Sequence, residues 1–157
     1  RISAPPSCAT LCGNGEMLAN RMLTSLGVWI NGVVILFPLG MVLPVALYAT
    51  QLARAVDDLM ELAKLADSVV MSVALTIDGH AGATGSDTRN YELSQARTKT
   101  VAAKLYARGS AIPVSSYGLG SEFASRSGGE TQPYDDQASR KIELRVELSK
   151  KPVALHK

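Results

Sequence analysis

Hydrophobic and polar positions fall into three kinds of pattern along the chain. From Val69 to Asp78, Val69, Met71, Val73, Leu75 and Ile77 alternate with smaller or more polar neighbours, which predicts a strand with one buried face. From Arg140 to Ser149, Ile142, Leu144, Val146 and Leu148 alternate with Lys141, Glu143, Arg145 and Glu147, a strand with one wet face. Helical spacing appears twice. Val45, Tyr48, Leu52, Ala55, Leu59, Leu62 and Ala66 form one apolar stripe, with Asp57, Asp58, Glu61 and Lys64 largely between them. Leu93, Ala96, Val101 and Leu105 form the inner stripe of a second helix, from about Thr88 or Asn90 to Arg108, with Gly109 as its stop. Ile112 to Tyr117 reads as a short strand, and Ser121 to Asp136, rich in Ser, Gly and Asp, as a long surface loop.

The stretch from 22 to 53 carries no charge. Hydropathy alone makes Val28–Ala49 a candidate membrane span, since about 20 apolar residues suffice. Asn31, Gly32, Pro38, Gly40 and Pro44 interrupt it, and proline inside a helix costs about 3 kcal/mol. Val28–Phe37, rich in β-branched and aromatic residues, reads instead as a buried strand. Pro38-Leu39-Gly40 is then a turn, and Pro44 the start of the first helix. We therefore expect no membrane span. The order is β-α-β-α-β-β, an α+β sandwich with helices packed on a mixed sheet. It divides into an N-terminal arm (1–27), a domain (28–150) and a tail (151–157). The arm has Pro5 and Pro6 early and Met17, Leu18, Met22, Leu23 and Leu26 later. It should be an extended start and a short helix, packed on a neighbouring envelope protein or on the domain's own flank.

Composition narrows the function. Hydrophobic residues make up 46% and charged residues 19% of 157 positions, which suits one folded domain and not a disordered chain. Sixteen basic residues against 14 acidic ones leave a charge of +2 and no basic stripe, so nucleic acid is not expected as a partner. The chain opens Arg1-Ile2-Ser3 without a signal-peptide pattern. Cys8 and Cys12 are close enough in sequence for a local disulfide, or remain two thiols. With histidines only at 80 and 156, no metal site or cofactor is expected. There is no Gly-x-Ser-x-Gly, His-Glu-x-x-His or Gly-x-x-x-x-Gly-Lys motif, so no catalytic residue is assigned.

Ile77-Asp78-Gly79-His80, Gly85, Asn90, Leu93-Ser94 and Arg97 are collinear with G-H-T-D-x-x-G-x-x-x-x-N-x-x-L-S-x-x-R-A. Gly109, Gly118-Leu119-Gly120-Ser121-Glu122 and Ser139-Arg140-Lys141-Ile142-Glu143-Leu144 extend the match. Over about 28–149 the chain resembles the OmpA-like peptidoglycan-binding domain. The resemblance implies a periplasmic, non-catalytic domain beside the outer membrane of a diderm bacterium, anchoring an assembly to the wall by gripping diaminopimelate in the peptide stem. It implies ligand-site roles for Arg97, Asn90, His80, Leu93, Ser94 and Arg140. Arg97 would hold the ligand carboxylate, to which a planar guanidinium is suited. The alternatives are a surface or structural arginine on an exposed helix face at 97, a cap or brace at Asn90, a structural hydrogen bond at His80 and a strand-edge ion pair at Arg140. Where the family has Thr-Asp, this chain has Ala81-Gly82. The aspartate that pairs with the ligand ammonium is gone, a loss of about 2–5 kcal/mol for a hydrogen-bonded charge pair. Asp87, or Asp78, is a candidate substitute. The second functional reading is a structural subunit of an envelope-spanning secretion complex that keeps the fold with weak or no wall binding.

Overall fold

A computed structural model describes residues 8–124 and 139–152, and for 8–14 the backbone alone. The elements are α1 (Cys8–Asn31), β1 (Val34–Leu36), α2 (Ala46–Ser68), β2 (Met71–Gly79), α3 (Asp87–Ala107), β3 (Val114–Gly118) and β4 (Lys141–Lys150). After α1 the order is the expected β-α-β-α-β-β, and the fold is α+β.

The first segment differs from its sequence reading. Val28–Phe37 is not one strand: α1 runs on to Asn31, and only Val34–Leu36 is extended. Leu23, Gly27 and Ile30 explain this, because they lie on one helical face and are buried. That packing outweighs the strand preference of Val28, Trp29 and Ile30. Gly32 then ends the helix, donating to the carbonyls of Val28 and Trp29. The helix is longer than the short one expected in the arm. It crosses position 27 without a break and packs on α2 and β4 of its own chain. No described helix is long and apolar enough to cross a membrane. The Cys8 and Cys12 thiols, the start of the arm, most of the 121–136 loop and the end of the tail lie outside the described residues.

The sheet order is β1-β4-β2-β3. β4 is antiparallel to β1 and β2, and β2 is parallel to β3. The register puts Ile77 opposite Leu144 and Gly79 opposite Ile142, which stacks the apolar sides of β2 and β4 on the inner face. Leu52, Leu59 and Leu62 of α2 and Val101 and Leu105 of α3 complete the core there. The same register puts Asp78 opposite Glu143 on the outer face. Two like charges facing each other repel; here Arg145 reaches Asp78 at 2.8 Å and Lys141 reaches Glu143 at 2.7 Å. The Lys141 contact holds the Glu143 carboxyl below its ordinary range. β1 covers only Lys141–Glu143 of β4. Beyond it, the Asn31 side-chain oxygen at the end of α1 accepts the Val146 N–H at 2.7 Å.

Candidate functional site

The site lies where the end of β2, the start of α3 and the β1–α2 loop converge. Gly79 ends β2 pressed against α3, and a Cβ there would fall 2.7 Å from Thr98 Cγ2 and closer still to the Ser94 carbonyl oxygen. After the glycine-rich loop, Ser86 caps α3 by accepting the Arg89 N–H at 3.2 Å. The cap is therefore Ser86, and Asn90 sits one turn further in, buried.

α3 turns a polar stripe inward along its first half. The buried residues are Asn90, Ser94, Arg97 and Thr98, then Val101, Ala102 and Leu105, whereas Leu93 and Ala96 are only half-buried. Arg97 is not a surface arginine: its exposure is 0%. Its Nε donates to the Met41 carbonyl at 2.9 Å, Nη1 to the His80 carbonyl at 2.9 Å and Nη2 to the Pro38 carbonyl at 3.1 Å. The guanidinium also lies 5.1 Å from the Phe37 ring centroid. One cation thus ties α3 to the β1–α2 loop and to the end of β2. Thr100 adds a second tie, its hydroxyl donating to the Val42 carbonyl at 3.0 Å.

A cavity of about 220 Å³ opens beside Arg97. Arg97, Asn90, Leu93 and Arg140 all line it, so the fold brings four of the residues singled out in the sequence to one place. Arg140 also donates through Nε to the Phe37 carbonyl at 3.1 Å. Gly82 and Gly85 form part of the wall, and Arg89 contributes a third arginine. Among the described residues the lining holds no Asp or Glu. Asn90 is 4% exposed, and its Nδ2 has no hydrogen-bond partner among the described residues. An unpaired buried donor is costly.

The remaining named residues stand outside this lining. Ser94 donates to the Tyr91 carbonyl at 2.8 Å and accepts the Gly120 N–H at 2.9 Å, bracing the turn after β3. Asp87 is exposed on the first turn of α3, and Asp78 is engaged by Arg145 on the outer sheet face. His80 serves Arg97 through its carbonyl. Its imidazole is buried, 3.8 Å from Glu143 and edge-on to Phe123 at 5.9 Å, and neither ring nitrogen has a hydrogen-bond partner among the described residues. Arg89 was not foreseen, although Arg89, Leu93 and Arg97 recur every fourth residue, a spacing that aligns them on one helix face. Among the described residues no cluster of His, Cys, Asp and Glu could hold a metal ion.

Burial pushes the His80 imidazole below its ordinary pKa of 6.5, an effect that the nearby Glu143 partly opposes. The unfolded chain therefore takes up a proton at His80 at higher pH than the folded one. The stability due to neutral His80 is complete above about pH 6.5 and declines as the pH falls through the folded value. Denaturant titrations between about pH 7 and 5 should show stability decreasing with acid, and His80→Phe should make that slope shallower. An unchanged slope would mean that His80 is hydrated in the folded chain.

The OmpA family model matches residues 49–143, and the chain belongs to the OmpA family. Solved structures give the same fold. The peptidoglycan-associated lipoprotein of Burkholderia pseudomallei is 17% identical with a TM-score of 0.57, covering 73% of this chain and 89% of that one. The periplasmic domain of Helicobacter pylori MotB is 15% identical, TM-score 0.51, covering 77% and 73%. The type VI secretion system cell wall anchor of Pseudomonas aeruginosa is 18% identical, TM-score 0.50, covering 85% and 97%. No curated protein sequence matches the chain.

Proposed function

We propose that this chain is a non-catalytic cell-envelope domain that anchors an assembly to peptidoglycan, in the periplasm beside the outer membrane. The observation that carries this reading is the cavity at the family motif, lined by Arg97, Arg140 and Asn90, whose Nδ2 has no partner among the described residues. Guanidinium groups and an amide donor suit the carboxylate of a peptide stem. Membership of the OmpA family and the fold shared with wall-associated proteins support it.

Sedimentation with purified sacculi tests the proposal. The chain should be retained, and Arg140→Ala should reduce retention about tenfold, which is the loss of roughly 1.4 kcal/mol. Gly82→Asp should tighten binding of a stem with a free diaminopimelate ammonium by about 1–3 kcal/mol, less than a complete charge pair because this loop is shaped around glycine. A chain that never sediments with sacculi is not a wall anchor.

One observation favours the second reading, a structural subunit of a secretion-type complex. Met17, Leu18 and Val28 of α1 and Leu39, Met41, Leu43 and Leu47 around the β1–α2 loop are all at least half exposed. Such apolar surface suits contact with other envelope proteins, through the 1–27 segment among others. That reading expects charged substitutions on this surface to disrupt the assembly while sacculus binding is weak or absent.

A further inference from the structure

We propose that the β1–α2 loop and the first turn of α2 form a membrane-docking tip, which places apolar side chains in the interface of an anionic phospholipid bilayer. Leu39, Met41, Val42 and Leu43 of the loop and Leu47 of α2 are between 40% and 75% exposed. Scattered single leucines are normal on a protein surface, whereas a continuous run of this kind marks a contact. The backbone of the run is turned inward. The Leu36 carbonyl accepts the Val45 N–H, and the Phe37 carbonyl accepts Arg140 Nε. The Pro38 and Met41 carbonyls are held by Arg97, and the Val42 carbonyl by the Thr100 hydroxyl. Pro38 and Pro44 have no N–H to satisfy. A protein partner could donate to free carbonyls in such a loop. Hydrocarbon cannot, so a segment that enters it must bring its backbone groups already paired.

The flanks point to the kind of lipid. Leu47 shares one surface hollow with Trp29, Tyr48 and Arg54, and the Arg54 guanidinium lies 5.7 Å from the Trp29 ring centroid. An apolar tip, then Trp and Tyr, then a cation follows the chemistry of a bilayer from acyl chains to headgroups. On the other side, Leu39 lines the cavity that also holds Arg89, which is exposed on the first turn of α3. Among the described residues neither hollow is lined by Asp or Glu. Cations on both flanks, with no acid between them, complement a negatively charged lipid surface.

The probes are vesicles of phosphatidylethanolamine with phosphatidylglycerol, and vesicles of phosphatidylcholine alone. The full chain should co-sediment with the first kind about tenfold more tightly than with the second. Trp29 is the single tryptophan, and its fluorescence should shift to the blue with the anionic vesicles. The double variant Leu43→Glu/Leu47→Glu should lose about tenfold or more of the vesicle binding, together with the fluorescence shift. Its circular dichroism should be unchanged because both side chains are exposed, and its sedimentation with sacculi should be unchanged because neither lines the cavity beside Arg97. Equal binding to the two kinds of vesicle, binding to neither, or binding that survives the double substitution would overturn the proposal while leaving wall anchoring intact. Concentration-dependent dimers that the double variant breaks, with vesicles left unbound, would also overturn it and assign the patch to a second copy of the chain.

Discussion

Replacing Arg97 by alanine is expected to destabilise the chain by about 3–5 kcal/mol, the range for breaking a buried network of a charge and its partners. The side chain is fully buried, and each of its three nitrogens donates to a backbone carbonyl, at Pro38, Met41 and His80. Alanine leaves those carbonyls without that donor and takes a cation away from the Phe37 ring. Water from the adjoining cavity would solvate some of them, which keeps the cost below that of a sealed core. Arg97→Lys should recover less than half of the loss, because one ammonium cannot reproduce a fork aimed at three carbonyls. Urea denaturation followed by circular dichroism measures both variants. A loss under about 1 kcal/mol for alanine would show that the carbonyls are satisfied without the arginine. The stability effect has a practical corollary. An Arg97→Ala protein that fails to bind the wall says little about ligand contact, so Arg140, Gly82 and Arg89 are the informative positions.

Gly79→Ala should cost about 2–4 kcal/mol, an overpacking penalty at the upper end of the usual range. The added methyl would overlap the Ser94 carbonyl and Thr98 Cγ2, and the first of these is backbone that cannot swing aside. α3 would have to move off the sheet. That movement would also separate Arg97 from the His80 carbonyl, so the cavity should lose affinity along with stability. Gly118→Ala presses on the same helix one strand over, 2.8 Å from the Gln95 nitrogen. Gly27→Ala is the matching control. It lies inside α1 with nothing within 4 Å of the added carbon, and should gain about 0.5–1 kcal/mol from helix propensity. Thermal melts of the three variants test the set. A Gly79→Ala protein as stable as wild type would mean that α3 and β2 are not in close contact.

The contrast between these positions shows what the sequence could disclose. β2 and β4 were legible because strict alternation has one structural reading: Val73, Leu75, Ile77, Ile142 and Leu144 are buried on the face it predicts, although Val69 belongs to the end of α2 and not to the strand. Asn90, Leu93 and Arg97 were legible as a group, since residues three and seven positions on return to one helix face. The burial of Arg97 was not legible. Its three acceptors come from residues 38, 41 and 80, and no local pattern says that those carbonyls meet on α3. The inner stripe of α3 was right at Val101 and Leu105 and misread in its first half for the same reason: charge and polarity at 90, 94 and 97 look like a wet face, while Leu93 and Ala96 look like core. At Val28–Ile30, β-branched and aromatic side chains favour a strand on propensity, and only the packing of Leu23 and Ile30 against the rest of the chain makes it helix. Asp87 looked like a substitute acid because it is near in sequence, but the start of α3 leaves it outside the cavity lining.

Asn31 has a consequence for how this domain meets other chains. A β-sheet edge left open invites a visiting strand to pair with it, whether a partner's or that of a second copy. β4 outlasts its short neighbour β1, and its exposed run of N–H groups would be such an invitation. Asn31 takes the Val146 N–H for itself, and α1 lies against the strand at that point. At Val146 this edge is closed to a visiting strand. A chain docking at that point meets the side chains of a helix instead of an open backbone. Asn31→Ala would free one backbone donor there, and the expected sign of its effect is a greater tendency to self-associate at high concentration.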